Sequence, residues 1–389
     1  MAERKIKIGV LSTISKTMDW FIVPSMRNLE KHGYEITLIC NMEDDFAERN
    51  NDYAKCIHLP MSRGASIKNM FSSICALVRI FREEKFDLLY YMSPNASMYA
   101  AVAGIIAGVR TRIYNQTGIR YVSLTGIKRW IFKTVEKLTC LFSTHVKAQS
   151  PKNMAFAIAE GLCKREKVSV VGIGGTIGVE LDKCRSFDHE RARQELREKY
   201  GIPGSAFVYG YVGRVNADKG INELVQAFGR ISGQRGEMYL ALVGMLDDTN
   251  PISEANMETA KNSSRIILTG NVPPSQVYAH MCMFDVLVHP TYREGFGKVL
   301  QEAMGVGIPI ITTDVPGPSE VVENGISGIL CRVRDPEDLA EKMLLLHDES
   351  ALRERFAKEG MVRAEKYFDR SLMLENILQD MNKIACKGE

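Results

Sequence analysis

The 389-residue sequence predicts an α/β protein made of two successive doubly wound domains. Two observations carry this expectation. Short apolar runs alternate with amphipathic stretches along most of the chain, the pattern of parallel strands covered by helices on both faces. A glycine-rich stretch without periodicity, residues 172–187, breaks the alternation, and a second round follows it. The chain is also longer than one hydrophobic core usually serves.

The first round opens with a buried strand over Ile6–Leu11 and a helix over Trp20–Lys31, closed by His32-Gly33. Glu35–Cys40 is again strand-like. Helix Ile67–Glu84, strand Leu88–Tyr91, helix Ala96–Gly108, strand Arg112–Asn115 and helix Lys128–Leu141 follow. Strand His145–Gln149, helix Pro151–Glu160 and strand Val168–Val171 complete the round. After the break, a charged helix over Asp188–Tyr200 leads into the second. Its strands are Phe207–Val212, Tyr239–Val243, Ile266–Leu268, Val286–His289 and Ile310–Thr312. Its helices are Ile221–Ile231, Ser275–Met281 and Lys298–Met304. Three helical stretches, 336–347, 350–367 and 371–385, end the chain. Each round reads as a Rossmann-like domain, 1–175 and 188–366, with 367–389 as a closing segment. Open sheets of this kind bind ligands beyond the carboxyl ends of their strands. A site in a cleft between the two domains is therefore expected.

Composition narrows the function. Fifty basic against 47 acidic residues leave a net charge of +3, too balanced for a dedicated nucleic-acid binder. The nine cysteines are scattered and form no Cys-x-x-Cys, which argues against a zinc ribbon, a redox dithiol or a disulfide framework. The start of the chain has no apolar signal core, and the longest apolar stretch, 96–109, is too short to span a bilayer. A cytoplasmic location is expected. Gly172-Ile-Gly174-Gly175 follows a strand, but Ile177 stands where a dinucleotide fingerprint needs its third glycine. Neither that fingerprint nor a Walker-type loop occurs, so a nicotinamide dehydrogenase and ATP hydrolysis are not indicated.

The segment with most chemistry runs from Pro290 to Gly305. It follows a strand and opens a helix. Gly295 and Gly297 allow close backbone approach to a ligand and present amides at a helix N-terminus, a ready anion site. Glu294 stands at the mouth of that turn, where a carboxylate can accept from sugar hydroxyls, and Glu302 lies inside the helix. Read alone, the pair could equally be a helix-dipole acid and a surface glutamate. Further upstream, Arg214 and Lys219 follow a strand and flank a helix start, where two cations can hold an anion or stand simply as solvated surface charges.

Glu294 and Glu302 with the residues between them resemble the E-x7-E motif of retaining glycosyltransferases of family 4, which have the GT-B fold. The resemblance extends to Tyr211–Gly220, a phosphate-binding segment in that family. It also covers Thr269–Val272, which matches the family's segment against the nucleotide base, and the strand–loop–helix from Ile310 to Gly328. These stretches span about 205–345 in the family's order, whereas 1–170 resembles it only in architecture. The resemblance implies that Arg214, Lys219 and Glu294 are catalytic. It implies further that Glu302 holds ribose hydroxyls, that Gly295, Phe296 and Gly297 offer amides, and that Val272 lies by the base. It implies retention of the donor's configuration, a UDP-sugar donor, and a surface glycan as product: capsule, exopolysaccharide or lipopolysaccharide. It also implies that the last helix crosses back to the first domain. No Asp-x-Asp occurs in the chain, so no metal or other cofactor is expected. In the first half the family's paired glycines are replaced by Ser12–Asp19, where Lys16 is a candidate phosphate ligand, and its His-Gly pair by Gln116-Thr117-Gly118. The acceptor-side residue is therefore open.

Residues 110–147 hold eight basic residues and one acid, Glu136. Ile127, Trp130, Ile131, Val135 and Leu138 form one helical stripe, and Arg129, Lys133 and Lys137 another. Arg110, Arg112, Arg120, Tyr114 and Tyr121 add to the same region. Such a helix can lie on an anionic membrane surface or meet a lipid-linked diphosphate, or it can bury its stripe in the core. The expected partners are thus a nucleotide-sugar donor, a lipid-linked or oligosaccharide acceptor, and the inner face of the cytoplasmic membrane. Two rival functions share the fold: a nucleotide-sugar epimerase, and a non-catalytic nucleotide-sugar-binding partner in a glycan assembly complex.

Overall fold

A computed structural model describes residues 4–61, 67–186 and 188–386. Its contacts gather the chain into two compact units: Met1–Ile177 with Ser371–Glu389, and Gly178–Arg370.

Unit 1 is built on seven strands: β1 Ile6–Ile14, β2 Tyr34–Asn41, β3 Ala54–His58, β4 Leu88–Tyr91, β5 Thr111–Gln116, β6 His145–Ala148 and β7 Val168–Ser169. They form one parallel sheet in the order β3-β2-β1-β4-β5-β6-β7. The central strand β1 is buried through most of its length, as a strand covered on both faces must be. Strand β3 is not visible in the sequence pattern, because Ala-Lys-Cys-Ile-His is an edge strand with mixed burial and no clean period. The single helix expected over Trp20–Lys31 is two, Ser15–Phe21 and Val23–Lys31. Pro24 lacks the amide that a continuous helix would need, and it falls in the first turn of the second helix, where that lack costs nothing.

The helix Arg370–Ala385 packs its apolar face on unit 1. Leu378, Met381 and Ile384 enter the same core as Ile8, Val10, Ile36 and Leu38. Polar contacts fix its register: Tyr34 Oη donates to Asn382 at 2.6 Å, and Asp380 receives Lys147 Nζ at 2.7 Å. Lys147 is buried, so that carboxylate compensates a charge that would otherwise be costly. Residues nearly 350 positions apart thus share one core.

Unit 2 carries β8 Phe207–Val212, β9 Met238–Val243, β10 Ile266–Gly270, β11 Val286–His289, β12 Ile310–Thr313 and β13 Ile329–Cys331. This sheet is also parallel, in the order β10-β9-β8-β11-β12-β13. The chain runs outward from β8 to β10, then returns to the other side of β8 at β11. The strand order therefore reverses between β8 and β11. Helix Glu254–Asn262 and strand β13 lie outside the expected pattern, the one polar, the other three residues long. The stretch read as aperiodic contains a short helix, Leu181–Arg185, against which Gly305 of helix Lys298–Val306 packs closely. No helix among the described residues is long and apolar enough to cross a membrane.

Met381 is 1% exposed in the unit 1 core. Met381→Ala should cost about 2–5 kcal/mol, as a large-to-small core truncation. Denaturant unfolding read by a unit 1 probe should show the loss, and a unit 2 probe should show little of it.

Candidate active site

The loop after β8 and the loop after β11 leave the unit 2 sheet at the same end, on neighbouring strands. Two glycines and the contacts between the loops let them meet. Gly220 has φ +70°, and a Cβ there would lie 1.9 Å from the Pro290 carbonyl oxygen. Only glycine permits that approach. The Tyr292 amide then donates to the Asp218 carbonyl at 2.9 Å, and Arg293 pairs with the Asp218 carboxylate at 2.8 Å. Gly297, at φ +91°, starts helix Lys298–Val306 from a left-handed residue.

This weave brings Lys219 Nζ onto the Glu294 carboxylate. Lys219 sits at the end of a 3₁₀ turn, Ala217–Lys219, whose cap is Asn216: its Oδ1 accepts the Lys219 amide at 3.1 Å. Both side chains are largely covered, at 18% and 25% exposure. Burial works against the charge on Glu294. Lys219, aided by His289, outweighs burial and holds the carboxyl well below the usual carboxylate range. The other oxygen of Glu294 accepts the Gly295 amide at 3.2 Å.

The remaining expected residues take definite places. Gly295, Phe296 and Gly297 are buried in the turn ahead of the helix, with Phe296 edge-on to Phe368. Arg214, 59% exposed, pairs with Asp247 at 2.6 Å. Asp247 follows β9 and also takes Thr249 and Asn216, which hold its carboxyl low. Glu302 is joined to Lys298 one turn earlier at 3.0 Å, not to Lys219 or Arg214. Val272 is half-buried just past β10, at the same end of the sheet. Glu320 caps its own short helix by accepting the Gly317 amide at 3.1 Å. Lys16 belongs to unit 1, where it lies in a helix rather than a loop and pairs with Glu43 at 3.0 Å.

Sequence reasoning missed two members of this constellation. Asp247 comes from a loop with no motif. His289 ends β11 among apolar neighbours and reads as one more strand residue. Its ring is buried and stacks on Tyr211, with centroids 5.7 Å apart.

In unit 1, helix Gly126–Phe142 turns an unexpected face inward. Glu136, Thr139 and Cys140 are buried, and Glu136 accepts from Tyr114 Oη at 2.9 Å and Gln116 Nε2 at 2.6 Å. Burial raises the Glu136 pKa. Ile127, Trp130 and Ile131 point outward at 75%, 68% and 45% exposure. Exposed Lys128 and Lys137 flank them, while Val135 and Leu138 are half-buried. The basic stripe is only partly free. Arg129 donates to the Tyr121 carbonyl at 3.3 Å and covers its ring, and Lys133 pairs with Glu160 at 2.7 Å. Arg112 spends its guanidinium on the Phe142 carbonyl at 2.9 Å. The Arg120 side chain lies outside the described residues.

Comparison with known proteins gives consistent matches over both units. Residues 192–363 match the family model for glycosyl transferases group 1, and residues 25–174 that for glycosyltransferase family 4. The capsular polysaccharide biosynthesis glycosyltransferase CapM of Staphylococcus aureus is 30% identical over 98% of both chains. The UDP-Gal:alpha-D-GlcNAc-diphosphoundecaprenol alpha-1,3-galactosyltransferase of Escherichia coli is 23% identical over 83% of both. Among solved structures, Anabaena Alr3699/HepE in complex with UDP and glucose superposes at a TM-score of 0.77. It is 18% identical and is matched over 97% of this chain and 100% of that one.

The low Glu294 pKa has a stability consequence with a definite sign. A carboxyl depressed on folding stabilises the fold above its ordinary value, 4.5, and loses that contribution as pH falls below it. Glu294→Gln removes the effect. The stability gap between wild type and E294Q, measured by urea unfolding, should therefore be widest near neutral pH and shrink steadily below about pH 4.5.

Proposed function

We propose that this chain, which belongs to glycosyltransferase family 4 and is a GT-B glycosyltransferase of bacterial surface-polysaccharide biosynthesis, is a retaining enzyme. It moves a hexose or N-acetylhexosamine from a UDP-sugar to a lipid-linked acceptor. The observation that carries the reading is the Lys219–Glu294 contact at the point where the unit 2 strand order reverses. A cation and a hydroxyl-accepting carboxylate meet there beside the starts of two helices, Ile221–Ile231 and Lys298–Val306.

In this reading the donor diphosphate displaces carboxylates from the two cations. Lys219 and Arg214 receive the phosphates, and the amides of the turn at Gly295, Phe296 and Gly297 add dipoles. Glu294 accepts from the donor sugar's hydroxyls, Glu302 from the ribose, and Val272 lies against the base. Charge gathers on the diphosphate as the anomeric C–O bond stretches, so these cations stabilise the transition state more than the ground state. The acceptor hydroxyl attacks from the same face, and its proton passes to the leaving phosphate oxygen. One C–O bond breaks, one forms with retained configuration, and nucleoside diphosphate departs. Side chains meet the diphosphate charge, so no metal is required. The E. coli relative is named for UDP-Gal and a diphosphoundecaprenol-linked acceptor, and HepE was crystallised with UDP, which favours a UDP-sugar and a lipid-linked acceptor here.

The outward face of helix Gly126–Phe142 supports the same acceptor class. Ile127, Trp130 and Ile131 beside Lys128 and Lys137 suit the interface of an anionic membrane. The enzyme would work peripherally on the cytoplasmic face, where a lipid-linked acceptor is held.

A thermal-shift screen of UDP-, GDP- and ADP-sugars should show stabilisation by one of them, UDP-sugars foremost, since ligands that bind only the folded state raise its melting temperature. Acceptor-dependent release of the nucleoside diphosphate should fall about a hundred- to a thousandfold in Lys219→Ala. Isomer formation without any acceptor would instead indicate an epimerase. Separately, Ile127→Ser with Trp130→Ser should release the folded protein from vesicles containing phosphatidylglycerol. Unchanged cosedimentation would remove the membrane assignment.

A further inference from the structure

His289 closes β11 beside the loop that carries Glu294, and its ring is 1% exposed. Neither ring nitrogen has a hydrogen-bond partner among the described residues. The ring lies flat on Tyr211, with planes 8° apart. A phenylalanine would stack equally well without desolvating two nitrogens. Packing therefore does not account for an imidazole at this position. Its Nε2 stands 3.7 Å from Glu294 Oε2, the oxygen that Lys219 holds. That separation is just outside hydrogen-bond range.

The arrangement describes a donor in waiting. A diphosphate carries more charge than a carboxylate, so it draws Lys219 away from Glu294. Glu294, three-quarters covered while Lys219 is on it, has then lost its cation. Oε1 keeps the Gly295 amide, while Oε2 faces the imidazole. We infer that His289 is a positioning residue: when Lys219 turns to the donor diphosphate, His289 Nε2–H closes on Glu294 and keeps its carboxylate ionised and aimed at the sugar. The inference rests on the donor-site reading given above. Burial favours the neutral ring, which then has one N–H to give. The titratable and charged groups facing Glu294 are Lys219, His289 and, behind the imidazole, Tyr211.

Two variants separate this role from packing. His289→Phe keeps the stack and removes the N–H, and His289→Asn supplies an N–H again. H289F should melt like wild type but bind UDP more weakly, because UDP draws Lys219 from Glu294 and no imidazole N–H is left to replace it. Its kcat should fall roughly ten- to a hundredfold, the weight of one hydrogen bond to a charged group, with the donor KM changed much less. The acid limb of its kcat–pH profile should move to higher pH, since Glu294 in the donor complex has lost a stabilising donor. H289N should recover part of the rate and return the acid limb toward wild type. Unchanged kcat and acid limb in H289F would overturn the inference. So would a loss confined to melting temperature, which marks a structural role. A readout without any variant is the ring ¹⁵N spectrum of wild type. Saturating UDP should shift the His289 Nε2 resonance, and an unmoved resonance counts against the proposal. A wild type that neither binds nor releases UDP, GDP or ADP from their sugars overturns the donor site and this inference together. A working wild type with an unaltered H289F overturns the inference alone.

Discussion

The close approach of the loops after β8 and β11 is the constraint on which the unit 2 site depends. Gly220 can lie against the Pro290 carbonyl only because it has no Cβ and adopts a left-handed φ. From that contact follow the backbone bond between Tyr292 and Asp218, the Arg293–Asp218 pair and the meeting of Lys219 with Glu294. The sheet order explains why these two loops are the ones that meet. Helices leaving β8 and β11 pass to opposite faces where the order reverses, and the space between their starts is left open for a ligand.

The charges in that space are already satisfied. Lys219 holds Glu294, and Arg214 holds Asp247. In the proposed reading a donor diphosphate would exchange one anion for another, and the two ion pairs hold the cations in place beforehand. Preorganised cations need little rearrangement at the moment when charge develops, which is the usual source of electrostatic catalysis. The same economy would apply to Glu294 under the inferred role of His289, passing from one donor to another.

Unit 1 solves a different problem. Its helix Gly126–Phe142 buries Glu136, tied to Tyr114 and Gln116, beside Cys140 and Phe132, and turns Ile127 and Trp130 outward. An amphipathic helix in a globular protein normally keeps side chains such as Ile127, Trp130 and Ile131 on its covered face. Large exposed apolar side chains flanked by lysines mark a surface meant for something other than water. The opposite end of the chain supplies compensation elsewhere in the unit, where helix Arg370–Ala385 completes the core around β1 and β2.

Much of this was legible in the linear chain. The alternation of buried strands and amphipathic helices is a local property, set by side-chain period, so both parallel sheets and most of their elements could be read directly. The segments that carry Arg214, Lys219, Glu294 and Glu302 could be singled out too, because their resemblance to family motifs lies in short contiguous stretches. What local pattern does not encode is which groups pair across a fold. Asp247 is 33 residues from Arg214, and His289 reads as a strand residue until its neighbours are known. Short or polar elements such as β3, β13 and helix Glu254–Asn262 bury too little apolar surface to leave a periodic trace. The orientation of helix Gly126–Phe142 was hidden for a related reason. Its sequence offers an apolar and a basic stripe, and the face that is buried, with Glu136, Thr139 and Cys140, is neither; Tyr114 and Gln116 of β5 provide the partners that let Glu136 go inside.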